Sequence, residues 1–429
     1  MKTIKYFFIL TLISTTVFAQ YYLNPVSISL AGAYATKARG AYINGWNPAN
    51  LGLENNPRFS LHFGFLPLVP FPTVQISNSA ISPFFMNKHF FTGGYLTDQD
   101  KEDLIAFFPN DGLSVNPLMQ LPILNLSFGR WAVSIGTEVT GVVTLPKSLF
   151  RFAFFGNEFG KPLLDLENTN VEMQAVTSVA LAHGREVTIP VLSDVVEQTT
   201  VGAAIKVLIG GGYTGFEQVA GTVTSYPDKI VLDGNLKGLM GIGGYGAAFD
   251  LGLATVINEK MSANISLHNL FGFINWGLIE AEKVEYSIYS EIYSEDFENF
   301  DSALEEGIQT DTSYSVSSFT SNYPSYLLLG FEYRILDNLN AYATVKQHFS
   351  NDLAATYLPK VSIATEYDIT HWFPARLGFS FGGIEKFQWG IGTGLNFSHY
   401  ALDIGFSQIG GMFNHAKGFA ISFGQSILF

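Results

Sequence analysis

The sequence predicts an all-β protein, a transmembrane antiparallel β-barrel. Three observations point there. Of the 429 residues, 47% are hydrophobic and only 14% charged, against about 25% charged in a typical soluble domain. Beyond the N-terminus no run reaches the roughly 18 apolar residues that a spanning helix needs. Apolar residues instead recur at every second position, the period of a strand with one apolar face. A chain that is apolar overall but nowhere continuously so fits strands that turn one face to lipid. Disorder is excluded, because it goes with low hydrophobicity and high net charge.

The first twenty residues read as a secretory signal. Lys2 and Lys5 supply its positive end, Tyr6 to Leu12 its apolar core, and Val17-Phe18-Ala19 a small-residue cleavage site. The expected signal peptide is therefore 1–19. Losing those two lysines makes a net charge of −14 more negative still, the wrong sign for a nucleic-acid partner. An exported chain with no cysteine has no disulfide framework and no thiolate zinc site. No histidine cluster has metal-ligand spacing, and no Gly-x-x-x-x-Gly-Lys loop is present to cradle phosphate. Neither a metal nor a cofactor is expected.

Short helical inserts interrupt the alternation. Thr97 caps a turn bearing Asp98, Asp100, Glu102 and Asp103, which predicts a helix to Phe108, stopped by Pro109-Asn110-Asp111-Gly112. The stretches Ser148 to Phe159 and Glu186 to Gln198 read as irregular inserts. Between Thr199 and Gly238 glycine-rich runs such as Gly210-Gly211-Gly212 allow several registers.

The C-terminal half is legible strand by strand. Tyr245, Phe249, Leu251 and Leu253 alternate with Gly246, Ala248, Asp250 and Gly252. Leu327, Leu329, Phe331, Tyr333 and Ile335 alternate with Leu328, Gly330, Glu332 and Arg334. Trp389 to Phe397 and Tyr400 to Phe406 repeat the pattern. The large residues should face lipid and the small or polar ones the lumen. On that parity Glu138, Asp250, Glu332, Arg334, Arg376 and Asp403 are candidate lumen residues, where charge costs less than on the lipid face and opposite charges can tie a plug to the wall. Residues 281–320 read as a long acidic external loop. In it Tyr286, Tyr289, Tyr293, Phe297, Phe300 and Leu304 recur at three and four residues, a helical stripe. That loop is either a solvated cap on the rim or a lid that attracts a cation or a protein partner.

The chain ends on an alternating strand closed by Phe429. Ser422, Gly424, Ile427 and Phe429 resemble the C-terminal assembly signal of bacterial outer-membrane barrels. With a signal peptide in front, this implies a Gram-negative outer membrane, with its lipid and the barrel assembly machinery as partners.

The segment before the barrel does not alternate. Ser27-Ile28-Ser29-Leu30-Ala31-Gly32-Ala33-Tyr34 leads to Asn44-Gly45-Trp46-Asn47-Pro48-Ala49-Asn50-Leu51-Gly52. This resembles the hatch of the FadL/TodX-type (OMPP1) transporters and their PorV-like relatives in Bacteroidetes, with inserts like those of the DUF5723 type. The resemblance implies about 14 strands over 57–429 and an N-terminal hatch over 20–56 inside the lumen. It assigns the hatch turn to Asn47, Pro48 and Ala49, either as a gating element or as a fixed plug. Proline cannot join a ladder and asparagine caps turns, so this segment should fold inside the lumen rather than extend the sheet. It also implies passive uptake of a small hydrophobic solute. The alternative is a PorV-like structural or secretion-accessory barrel whose outer loops bind partner proteins without conduction. His348-Phe349-Ser350-Asn351 is similar to a motif of outer-membrane acyl hydrolases, but Asp352 stands where those have glycine and no oxyanion arrangement is readable. No catalytic residue is assigned.

Overall fold

A computed structural model describes residues 23–63, 72–87, 96–156, 159–190, 195–295, 300–353 and 355–429. The signal peptide expected over 1–19 lies outside the described residues.

One antiparallel sheet closes on itself. Its 18 strand segments fill 14 positions, because three strands are interrupted. In chain order, β1 is Phe59–Phe63 continued by Thr73–Asn78, β2 is Leu113–Phe128, β3 is Trp131–Leu145, and β4 is Pro162–Asp165 continued by Asn170–Glu186. Next come β5 (Gln198–Ser225), β6 (Lys229–Asn258) and β7 (Met261–Tyr293). Strand β8 runs in three pieces, Ile308–Ser315, Phe319–Asn322 and Tyr326–Leu336. Then follow β9 (Leu339–His348), β10 (Lys360–Thr370), β11 (Phe373–Gly382), β12 (Lys386–Phe397), β13 (Tyr400–Ile409) and β14 (Gly418–Leu428). The last strand closes the barrel as its sequence suggested. Leu428 pairs with Ser60 and Gly418 with Ser77, so β14 covers both halves of β1. Phe59 and Phe429 exchange both backbone hydrogen bonds, at 2.9 and 2.8 Å.

Most connections at the Phe429 end are tight, as at Asp337-Asn338 and His371-Trp372. This is the turn end; the loop end lies opposite. Strands β9 to β14 are 10 to 12 residues long, about what a tilted bilayer-spanning strand needs. Their large residues point outward, Ile391, Ile404 and Phe419 being more than two-fifths exposed. Their partners in the alternation, Arg376, Asp403 and Ser422, are buried. No helix among the described residues is long and apolar enough to cross a membrane.

Two inserts pack as helices at the loop end. The helix α3 (Asp98–Phe107) begins as expected at Thr97, whose hydroxyl accepts from Asp100 N at 3.2 Å while Asp100 Oδ2 accepts from Thr97 N at 2.9 Å. Before it come α1 (Pro25–Ser29) and α2 (Pro83–Met86). The stretch expected to be irregular over 148–159 is largely a helix, α4 (Lys147–Phe155), whose Phe150 ring stacks on Phe108 at 4.2 Å.

The acidic loop is the main departure. Residues 282–293 are not helical: β7 runs on without a break to Tyr293, and β8 pairs back from Ile308. Tyr286, Tyr289 and Tyr293 therefore sit on a strand, and the expected loop shrinks to residues around α5 (Phe300–Glu306). Strands β5, β6 and β7 have 28, 30 and 33 residues, and with β8 they project past the rim as a ribbon edged by the Pro162–Asp165 piece of β4. In water neither face of a ribbon must be apolar, so tyrosines and charges share it. Lys283 pairs with Glu217 at 2.7 Å. Glu291 accepts from Lys229 at 2.6 Å and from Tyr293 and Tyr289 at 3.0 Å, and these donors hold its carboxyl below the usual range.

Candidate functional site

The lumen is filled by the N-terminal segment, which builds its own local structure from short-range hydrogen bonds. Asn24 caps α1 by accepting from Ser27 N at 2.8 Å, and Ser27 Oγ accepts in return from Asn24 N at 2.9 Å. With no ladder to satisfy the following backbone, asparagine side chains take over. Asn50 Nδ2 donates to Ala35 O and Ala38 O at 2.9 and 3.0 Å, and Asn264 of the wall donates to Ala35 O at 2.8 Å.

The motif Asn47-Pro48-Ala49 is where this hatch grips the wall. Asn47 caps a one-turn 3₁₀ helix over Pro48–Gly52, its Oδ1 accepting from Ala49 N at 2.9 Å. Its Nδ2 donates to the paired wall carbonyls Leu253 O on β6 and Ile265 O on β7, both at 3.1 Å. Thr200 Oγ on β5 donates to Ala49 O at 2.8 Å. A side chain on the wall would prevent this approach. A Cβ at Gly202 would overlap Ala49 N and the Pro48 carbonyl, and one at Gly252 would overlap Asn47 Oδ1. The apolar contact is divided unevenly: the hatch supplies large groups (Leu30, Tyr34, Ile43, Trp46, Leu51), and much of the wall is small, with Ala132, Ala182, Ala204 and Ala364. Asn47→Leu keeps the volume but deletes the cap and two wall bonds. At about 1 kcal/mol per hydrogen bond it should cost the docked hatch about 3 kcal/mol, measured as faster hydrogen exchange of residues 44–52.

Of the predicted lumen charges, Arg376, Asp403 and Asp250 join two networks, and Glu138, Glu332 and Arg334 stand outside both. Arg376 donates from Nε to Glu366 Oε2 at 2.6 Å and from Nη1 to Asp403 Oδ1 at 2.5 Å. Lys37 of the hatch donates to Glu366 Oε1 at 2.7 Å, so one ionic network ties the plug to β10, β11 and β13. Asp250 belongs to the other: Lys206 Nζ lies 2.8 Å and His268 Nδ1 3.2 Å from its Oδ2. His268 Nε2 sits 2.8 Å from Ser266 Oγ, which donates to Trp46 O in the hatch at 3.0 Å. Glu138 is buried. Glu332 is half-buried, and Arg334, though on the inward parity, is exposed near the turn end and joins neither network. Sequence reading missed Lys37, Glu366, Lys206 and His268, although the last three share the inward parity that singled out Asp250 and Arg376.

Between hatch and wall at the turn end lies a cavity of about 930 Å³. Tyr34 and Tyr42 of the hatch face Trp372, Leu395 and Phe397 of the wall across it, with Lys37, Arg39, Arg376 and Asp403 also on its lining. The hydrolase-like residues assemble nothing comparable. Neither His348 Nδ1 nor Ser350 Oγ has a hydrogen-bond partner. Among the described residues no group of three or more His, Asp or Glu is placed to hold a metal ion.

The closed 14-strand antiparallel barrel matches FadL-like barrels in fold. The chain belongs to the family described as "Family of unknown function (DUF5723)", which it matches over residues 55–240 and 232–405. Among solved structures it is similar to a Pseudomonas aeruginosa FadL homologue, with 12% identity, a TM-score of 0.51, and 96% of this chain and 100% of that one covered. It also resembles the Ralstonia pickettii toluene transporter TbuX, with 15% identity, a TM-score of 0.49, and 95% and 98% covered. These neighbours are transporter barrels, not enzymes. At such identities the likeness concerns the fold. A search of curated proteins finds no match.

Proposed function

We propose that the chain is a gated passage for a small hydrophobic solute in a Gram-negative outer membrane, with its turn end in the periplasm and its loop end outside. The cavity of about 930 Å³ beneath the hatch carries this reading. Its volume and its aromatic, partly charged lining are those of a small-molecule site. A plug kept only for structure needs no such chamber. In this reading Asn47, Pro48 and Ala49 form the catch, and releasing their bonds to β5, β6 and β7 joins the chamber to the space above. The FadL-type architecture supports the reading at the level of fold.

The test is entry of 1-N-phenylnaphthylamine, a fluorescent hydrophobic probe, into cells carrying the intact chain or a chain lacking residues 23–50. Uptake should rise several-fold with the deletion, and the intact chain should itself exceed cells without it. Equal uptake in all three ends the transport reading. The second reading, an accessory barrel that binds a partner protein, draws on the projecting ribbon, where Tyr289, Tyr293 and Tyr314 are exposed. It predicts a partner that co-purifies with the intact chain and is lost when the ribbon is cut back.

A further inference from the structure

Toward the loop end the lumen holds a second, smaller cavity, of about 50 Å³. Its lining comes from two sides of the barrel. Asn116 of β2 and Thr140 of β3 stand on one side, Lys346 and His348 of β9 and Lys360 of β10 on the other. The register puts all five on the inward face. Asn116 pairs with Ser77, and Thr140 with Leu118, the partner of Gln75; Ser77 and Gln75 are both buried. Lys346 and Lys360 pair with each other, two residues above Thr344 and Ser362, whose hydroxyls meet the hatch backbone at Ala35 N and Ala31 O.

Two features of this lining call for a ligand. Asn116 is 8% exposed and Thr140 1%, yet Asn116 Oδ1, Thr140 Oγ and His348 Nδ1 have no hydrogen-bond partner. Buried polar groups are normally satisfied. The second feature is charge, because two lysines directly opposite on neighbouring strands repel each other. Lys360 Nζ lies 3.3 Å from Glu385 Oε1 and donates to Gln388 Oε1 at 2.7 Å. The Lys346 ammonium lies over the Tyr326 ring, 4.2 Å from its centroid. With His348 neutral, two ammoniums face one carboxylate, Glu385, and the lining keeps a positive excess. Glu138, two residues deeper on β3, is not part of it.

An anion meets the positive excess, but Asn116 Oδ1 can only accept, so that anion must also have a proton to give. Room for about four waters suits a tetrahedral ion and is too little for an acyl chain. We propose that this is a binding site for a small tetrahedral oxyanion that retains a proton, hydrogen phosphate. Lys346 and Lys360 donate to its charged oxygens, as ammoniums do to phosphate. Its hydroxyl donates to Asn116 Oδ1, and Thr140 Oγ and His348 Nδ1 donate to the remaining acceptors. The site is separate from the chamber beneath the hatch and does not depend on whether the barrel conducts.

The test is calorimetric titration of inorganic phosphate and of sulfate into the purified full-length chain, in uncharged detergent at mildly alkaline pH. Phosphate should bind saturably and at least fivefold more tightly than sulfate, which has the same shape but no proton. Lys346→Met should weaken phosphate at least tenfold. Asn116→Leu should abolish the preference for phosphate over sulfate. Glycerol 3-phosphate, larger and without a proton at that pH, should bind no better than sulfate; tighter binding would replace the free ion with a phosphate ester or lipid headgroup. If Lys346→Met does not yield a barrel with heat-dependent gel mobility, Thr140→Val, which keeps the volume, carries the test with a loss of at least threefold. No saturable phosphate binding overturns the site. Binding unchanged in Lys346→Met, or in Thr140→Val where that variant stands in, does so too, as does a preference over sulfate that survives Asn116→Leu.

Discussion

Arg376→Met should cost the folded barrel on the order of 3–5 kcal/mol, the usual cost of breaking a buried ion pair from one side. The Arg376 side chain is 3% exposed, and Glu366 and Asp403, each 6% exposed, depend on it. Removing the guanidinium leaves Glu366 with Lys37 alone and Asp403 without its ion-pair partner. The loss should appear as an earlier urea midpoint in lipid vesicles. Arg376→Lys should recover only part of it, because a single ammonium cannot reproduce the fork that reaches β10 and β13 together. The double variant Arg376→Met/Asp403→Asn, which removes a charge of each sign, should be more stable than the single one. A single variant within about 0.5 kcal/mol of the parent, the range of an ordinary surface change, would show that water already screens this part of the lumen.

How much of this was readable beforehand depends on which solvent each residue meets. In β9 to β14 lipid covers one face, so the alternation had to be strict, and Ile391, Ile404 and Phe419 face outward as their parity requires. The closing strand was legible as a local pattern with a local cause, and the hatch motif through the family resemblance it carries. In the ribbon both faces meet water. There a spacing of three and four, as in Tyr286, Tyr289 and Tyr293, fits a helix on paper and a strand in the fold. The partners of the lumen charges were hidden by distance along the chain. Lys37 and Glu366 are 329 residues apart, and nothing local in either marks the other. The wall glycines were hidden in another way. Gly202 lay in a stretch of loose register and Gly252 read as one small residue of an alternating strand, whereas in the barrel both mark places where the hatch comes close.

That last point gives the expectation that bears most directly on gating. Gly202→Leu should unseat the hatch and leave the barrel standing. Gly202 sits in register between Gly184 on β4 and Gly252 on β6, and the ladder itself is indifferent to an added side chain. The hatch is not, because the new Cβ would occupy the place of Ala49 N and the Pro48 carbonyl. Moving that turn breaks the bond from Thr200 and both bonds from Asn47 to β6 and β7, a loss of about 3 kcal/mol at about 1 kcal/mol each. Trypsin should then cut at Lys37 and Arg39, which are half-buried in the seated hatch, and probe uptake should approach that of the deletion lacking residues 23–50. Val207→Leu, on the same strand but 53% exposed on the outer face, should change neither readout. Gly202→Ala should fall between, since a methyl already meets the clash but can be met by a smaller shift. A Gly202→Leu barrel with its hatch protected and its uptake unchanged would mean that the hatch is held by its ionic network instead. The catch would then move from Asn47 to Lys37 and Glu366, on the far side of the lumen.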